Sequence, residues 1–317
     1  MRLSICGGGS DLPEFLKYEN FGYTLTTTLN KYVYVAIHES SNEKYRFVYS
    51  DIEECSDISQ IKHKILKELF QHRNTSRKIE LFSIADLPAK GTGLGASSAF
   101  TLAAVAAVSE FNLTPESNLD YAKIASHIEM ELAESGSGFQ DQYASATGGI
   151  TLLEFSRNGL TKSTAITDNL QNSELILDWL NEHLVFVKAP GSRESGKILK
   201  SIAFSDSKIR NLQIEIRNLV IPAIDSVLNQ DINQLGNILH ENWRIKKDLS
   251  PSSTNETVND LYEKGINSGA LGGKLLGAGG SGYLVFAVNS QTDFLNHSGF
   301  SETGIQLTGD KLEVKEI

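Results

Sequence analysis

The chain is 317 residues long, 40% hydrophobic and 21% charged, the balance of an ordinary globular protein large enough for two domains. A net charge of −10 argues against a nucleic-acid or anionic-membrane surface, because such partners are met by a basic face. The longest nearly apolar stretch, residues 100–108, is about half a bilayer span, no charged leader opens the chain, and Cys6 and Cys55 are too few for a disulfide framework, so a soluble cytoplasmic protein with plain thiols is expected.

Alternating Thr, Tyr and Val over residues 23–37 predict strands with a turn near Asn30. Ile61, Ile65, Leu66 and Leu69 share one stripe, which predicts a helix over 58–72, and a strand follows at 79–84. Residues 99–111 are apolar on nearly all sides, the pattern of a buried helix. A second helix is expected over 119–133, with Tyr121, Ile124, Ile128 and Leu132 on one face, then a glycine-rich turn at 136–138 and a strand at 149–155. Residues 157–174 are polar and poorly patterned, and the domain boundary is placed there, giving domains of 1–170 and 171–317. Beyond it come a strand at 184–188, helices at 206–228 and 232–246, and a strand at 283–288. Strands and helices mix without a regular alternation, so the class expected is α+β.

Three glycine-rich segments carry most of the chemistry. In LPAKGTGLGASS, residues 87–98, Gly91, Gly93 and Gly95 let the backbone approach a ligand, and their amides can face one concavity. Ser97 and Ser98 stand where the helix begins and can cap it, or bind a phosphate oxygen or a metal. In GGKLLGAGGSG, residues 272–282, a formal G-x-G-x-x-G runs into a strand rather than a helix, so a tight turn is expected instead of a dinucleotide site. GSRESGK, residues 191–197, matches the start of a phosphate-binding loop, but Ile198 stands where a hydroxyl should hold magnesium. Glu129 and Asp141 are the carboxylates that phosphoryl transfer to an alcohol would need, although taken singly Glu129 reads better as a solvated helix-edge charge and Asp141 as a helix cap.

Taken together, three motifs resemble the GHMP superfamily, named for galactokinase, homoserine kinase, mevalonate kinase and phosphomevalonate kinase. They are Arg2 with GGGSDLPEF at 7–15, GTGLGASSAFT at 91–101 and LGGKLLGAGGSG at 271–282, in order and over nearly the whole chain. The resemblance implies a two-domain fold, ribosomal-protein-like then ferredoxin-like, and a kinase using ATP and Mg2+. By resemblance Gly91, Gly93, Leu94, Gly95, Ala96, Ser97 and Ser98 bind ATP, and Ser98 with Glu129 holds the metal. Glu131 is the alternative should the helix register differ. Asp141 would act on the acceptor hydroxyl with support from Arg2, and Asp11 and Gly138 would bind sugar. GGGSDLPEF, TLNKYVYV, FQDQYASATGG and NWRIKKDLS are most similar to the bacterial D-glycero-D-manno-heptose 7-phosphate kinase branch, which phosphorylates the anomeric oxygen. Its substrate would carry a phosphate, for which Arg193, helped by Lys247, is the candidate reader. A kinase for a fucose-like or capsule sugar, and a non-catalytic sugar or nucleotide sensor, are the alternatives. Ser10 and Ser281 depart from the family pattern, and Met1 directly precedes Arg2 where the family has an Ala-Pro step, so the anchoring of Arg2 is a question for the structure.

Overall fold

The computed structural model describes residues 1–73, 75, 77–88, 91–167, 169–191 and 195–316. Among them run β1 (Arg2–Cys6), β2 (Gly22–Leu29), β3 (Val33–Glu39), β4 (Tyr45–Val48), β5 (Ile52–Cys55), β6 (Ile79–Ala85), β7 (Thr151–Ser156), β8 (Gly159–Ala165), β9 (Leu184–Ala189), β10 (Gly272–Leu275), β11 (Gly282–Ala287) and β12 (Leu307–Thr308). They form three sheets. The first has the order β1-β2-β7-β8 with β12 also on β2, the second β3-β6-β4-β5, and the third β10-β11-β9.

The alternating run at 23–37 breaks near Asn30 as expected, but its halves enter different sheets. β1 is buried along its whole length, so RLSIC shows no alternation. Arg2 pairs with Thr28 of β2, and the register shifts between Ser4 and Cys6. The alanine-rich helix Ala96–Phe111 packs against β3 and against the helices Asn118–Ser126 and Gln140–Thr147, which explains its apolarity on every side. One buried core, with Leu3 and Ile5 from β1, Leu184 from β9, Leu235 and Val285, joins the first sheet to the third.

Several expectations shift. Residues 58–72 hold a single 3-10 turn, Ile58–Gln60, before the helix Lys64–Arg73. The stretch 157–174, polar and poorly patterned in sequence, contains β8 and the start of the helix Leu170–His183. The helix expected over 206–228 is two, Ser207–Asn218 and Val220–Leu228. Pro222 explains the break: it lacks an N–H, and its ring opposes the carbonyl of Asn218 four residues earlier. Cys6 and Cys55 are free and buried, and no helix among the described residues is long and apolar enough to cross a membrane.

Candidate active site

A cavity of about 720 Å³ opens where β1, the 91–98 loop, the start of Gln140–Thr147 and the helix Ile232–Leu249 converge. Gly91, Gly93 and Gly95 all have positive φ, 79°, 72° and 72°, so each uses backbone space that side chains avoid. The turn at 272–282 packs directly on this loop. A Cβ at Gly93 would fall 2.6 Å from the Leu276 oxygen, and one at Gly277 would fall 2.5 Å from Gly93 Cα. The two glycine motifs thus meet backbone to backbone, as the reading of 272–282 as a tight turn requires.

Helix Ala96–Phe111 starts from Gly95 with no side-chain cap. Its first intrahelical bond runs from Ala99 N to Gly95 O at 2.9 Å, so the amides before it have no helical partner and can receive an anion. Ser97 and Ser98 lie inside the first turn and do not cap it. Their hydroxyls meet Glu129 instead: Ser97 Oγ donates to Glu129 Oε1 at 3.1 Å, while Gln142 Nε2 reaches Glu129 Oε2 at 2.7 Å and Ser98 Oγ at 3.3 Å. Glu129 sits in a π-helical turn, His127–Leu132, that continues the helix Asn118–Ser126. The wider turn is a local cost of the kind seen at functional sites. Glu129 is only 2% exposed, and burial pushes its carboxyl above the usual range. Glu131, by contrast, is exposed and pairs with His127 at 2.9 Å. A buried carboxylate beside two hydroxyls, neutralised by no cationic side chain among the described residues, is an oxygen donor set that fits Mg2+.

Arg2 is firmly held. Its Nε and Nη2 each donate to Asp141 at 2.7 Å, to Oδ1 and Oδ2, while Nη1 donates to Gly93 O at 2.8 Å. Its own amide donates to Leu94 O at 3.0 Å. The pair therefore ties β1, the glycine loop and the first turn of Gln140–Thr147 into one unit. Arg2 is 4% exposed and the Asp141 side chain 18%, so the carboxylate keeps an edge open to the cavity.

Asp11 is buried. It accepts from Gly9 N at 2.9 Å, Gln140 N at 3.0 Å and Gln140 Nε2 at 3.3 Å, and burial, partly offset by the Gln140 amide, pushes its carboxyl up to about 6. Gly138 faces it so closely that a Cβ would fall 2.0 Å from Asp11 Oδ2. Both line the cavity, as do Gly91, Gly93, Gly95, Ala96, Ser97, Ser98, Glu129, Arg2 and Asp141. Leu94 does not: its side chain is buried in the core, and only its backbone faces the site's framework. Lys247 is a correction. Its ammonium lies 5.8 Å and 6.0 Å from the ring centres of Trp243 and Tyr262, and the cavity lysine of NWRIKK is its neighbour Lys246. Arg193 lies outside the described residues, as do its neighbours 192 and 194. Gln142 and Lys274 escaped the sequence reading. Only the adjacency of Gln142 to Asp141, and a lysine inside the glycine motif, signalled them.

Fold and site together define a phosphotransferase. The GHMP kinases N terminal domain matches residues 60–149 and the GHMP kinases C terminal domain matches residues 221–296, and the chain belongs to the GHMP kinase family, with its α+β two-domain fold. It is 28% identical over 304 residues to D-glycero-alpha-D-manno-heptose 7-phosphate kinase of Campylobacter jejuni, covering 91% of this chain and 88% of that protein. The bifunctional fucokinase/GDP-fucose pyrophosphorylase of Arabidopsis thaliana is 28% identical over 65% of this chain and 20% of its own length. Among solved structures, a D-glycero-D-manno-heptose 1-phosphate kinase from Bacteroides thetaiotaomicron superposes with a TM-score of 0.78 at 21% identity, covering 100% of this chain and 98% of that one. Lactococcus lactis galactokinase with galactose superposes with a TM-score of 0.71 at 13% identity, over 97% and 93%.

Proposed function

We propose that this chain transfers the γ-phosphoryl group of ATP to the anomeric hydroxyl of a phosphorylated heptose of the D-glycero-D-manno-heptose 7-phosphate type. The observation that carries this reading is the Arg2–Asp141 pair, clamped at 2.7 Å against the carbonyl of the phosphate-type loop and open to the same cavity. The Campylobacter relative supports the choice of sugar.

The chemistry follows from the placement. The 91–98 amides and the uncapped start of Ala96–Phe111 receive the ATP phosphates. Ser98 and Glu129 would hold Mg2+, whose charge would offset that of the phosphates. Asp141 spends one lone pair of each oxygen on Arg2 and keeps the others for the acceptor hydroxyl. It orients that hydroxyl, or takes its proton, as the new O–P bond forms and the bond to the β-phosphate oxygen breaks. Arg2 keeps the carboxylate fixed through charge-assisted bonds. Asp11, with Gly138 giving it room, faces the sugar hydroxyls. Most of the catalysis is positioning and charge neutralisation. The two lobes would divide near residue 170, at the boundary expected from the sequence.

A coupled ADP-release assay over a panel of sugars and sugar phosphates, run with and without Mg2+, tests the proposal. The expected result is metal-dependent turnover that is greatest with the heptose phosphate. Preference for L-fucose would move the chain to the fucokinase-like alternative, and absence of turnover on every sugar would leave a sensor.

A further inference from the structure

Two lysines of the C-terminal half sit in the cavity with no role yet. Lys274 belongs to β10, all four residues of which are buried, and is itself 6% exposed. Its Nζ donates to Ile5 O at 2.9 Å and to Asn242 Oδ1 at 3.0 Å, which leaves one proton uncommitted. Lys246 projects from helix Ile232–Leu249 and donates to the carbonyls of Leu275 and Gly277, the latter in the turn that touches Gly93. Neither pairs with a carboxylate among the described residues. Burial first, and then the repulsive charges of Lys274 and Arg2, bring the Lys246 ammonium down to about 7, while burial, partly offset by Cys6, brings Lys274 to about 8.

Arg2 and Ser4 stand two residues apart on β1, both lining the cavity, and Ser4 Oγ is buried with no hydrogen-bond partner. Lys246, Lys274 and Arg2 act on one another as like charges, Asp141 is paired with Arg2 alone, and the idle Ser4 hydroxyl lines the same cavity. Folding gains little from one buried and one half-buried lysine that meet no carboxylate; taking such cations out of water is costly unless an anion meets them. A bound anion favours their protonated forms, and two protonated lysines match a phosphoryl dianion.

We propose that Lys246 and Lys274, with Ser4 and Arg2 beside them, form a seat for one phosphoryl dianion at the acceptor end of the cavity. Resting on the kinase reading above, it would hold either the phosphoryl group in transfer or a second phosphate carried by the sugar. The position of Lys246 over the Gly277–Gly93 contact favours the first source, and the contact of Lys274 with β1 favours the second.

The test uses the full chain and the variants Lys246→Met and Lys274→Met, with circular dichroism to confirm folding. Calorimetric titrations with inorganic phosphate, ATP and ADP are paired with KM values for a phosphorylated and an unphosphorylated form of one accepted sugar. Phosphate binding is expected to weaken about 10- to 150-fold in either variant, the effect of losing one charge-assisted contact. If the seat holds the transferred group, ATP affinity falls by that factor and ADP affinity does not. If it holds the sugar's phosphate, only the KM of the phosphorylated acceptor rises. A folded Lys246→Met with phosphate affinity, the ATP-to-ADP ratio and both KM values within twofold of wild type overturns the proposal, even where Lys274→Met fails to fold. The titrations do not depend on the sugar, so a wild type that rejects phosphosugars sinks the heptose-phosphate reading and leaves the ATP arm to decide the seat.

Discussion

Replacing Asp141 by Asn tests the centre of the site and has two separable consequences. The Arg2 guanidinium is 4% exposed and is bonded to both carboxylate oxygens at 2.7 Å. Asparagine keeps one acceptor and turns an amide N–H2 toward an N–H donor, so one charge-assisted bond is lost and the buried guanidinium has no counter-charge. Removing a partner of a buried pair outright costs about 3–5 kcal/mol, and the retained oxygen and the Gly93 carbonyl place Asp141→Asn near the lower end, about 3 kcal/mol. Arg2→Met with Asp141→Asn removes the stranded charge as well. Urea unfolding of the two single variants and the double should therefore give a coupling energy of about 2 kcal/mol, on the scale of contacting pairs. Turnover should fall by about 10²–10⁴ in Asp141→Asn, the usual range for a positioned acid–base group, with ATP affinity changed by less than about threefold. Near-normal turnover in the Asn variant would refute the role given to Asp141. Additive stabilities would refute the clamp.

Other outcomes follow from the same geometry. Glu129→Gln and Ser98→Ala should each lower Mg2+-dependent turnover by at least about 10²-fold while stability holds, because each removes a metal donor without stranding a partner charge; metal titration of the rate checks this. Gly138→Ala puts a methyl group 2.0 Å from Asp11 Oδ2 and should raise the sugar KM about tenfold, ATP affinity being unaffected in titration. Lys197→Ala should leave ATP affinity within about threefold, since the 91–98 loop supplies the positive-φ glycines and free helix-start amides proposed to hold the phosphates. Lys246, lowered to about 7, binds fewer protons folded than unfolded between that pH and about 10, so wild-type stability should rise with pH relative to Lys246→Met. A gain of at least about 1 kcal/mol between pH 7 and 9 in parallel urea titrations is expected, a tenfold change in proton affinity being worth about 1.4 kcal/mol.

What the sequence disclosed and what it hid divide along physical lines. Positive φ leaves a local mark, glycine, so the 91–98 cradle and the 272–282 turn were legible, and Gly91, Gly93 and Gly95 do occupy left-handed backbone. Period and burial likewise marked the helix Ala96–Phe111. The strands β4 and β5 (YRFV, IEEC) offered four residues each, and β5 inverts the usual pattern with Ile52 exposed and Glu53 buried, while β8 (GLTKSTA) is polar over most of its length, so all three went unseen. The Arg2–Asp141 clamp joins residues 139 apart, and only family resemblance, not spacing, could pair them. The choice between Lys246 and Lys247 turned on helix phase, about 100° per residue, which a run of adjacent basic residues does not reveal. Lys274 was hidden for a related reason. In a sequence it is one cation within a glycine motif, and only the third sheet brings it beside Lys246 and Arg2, where like charges accumulate. Electrostatic excess belongs to the folded arrangement, so the feature that says most about a bound phosphate is one that no local pattern could have carried.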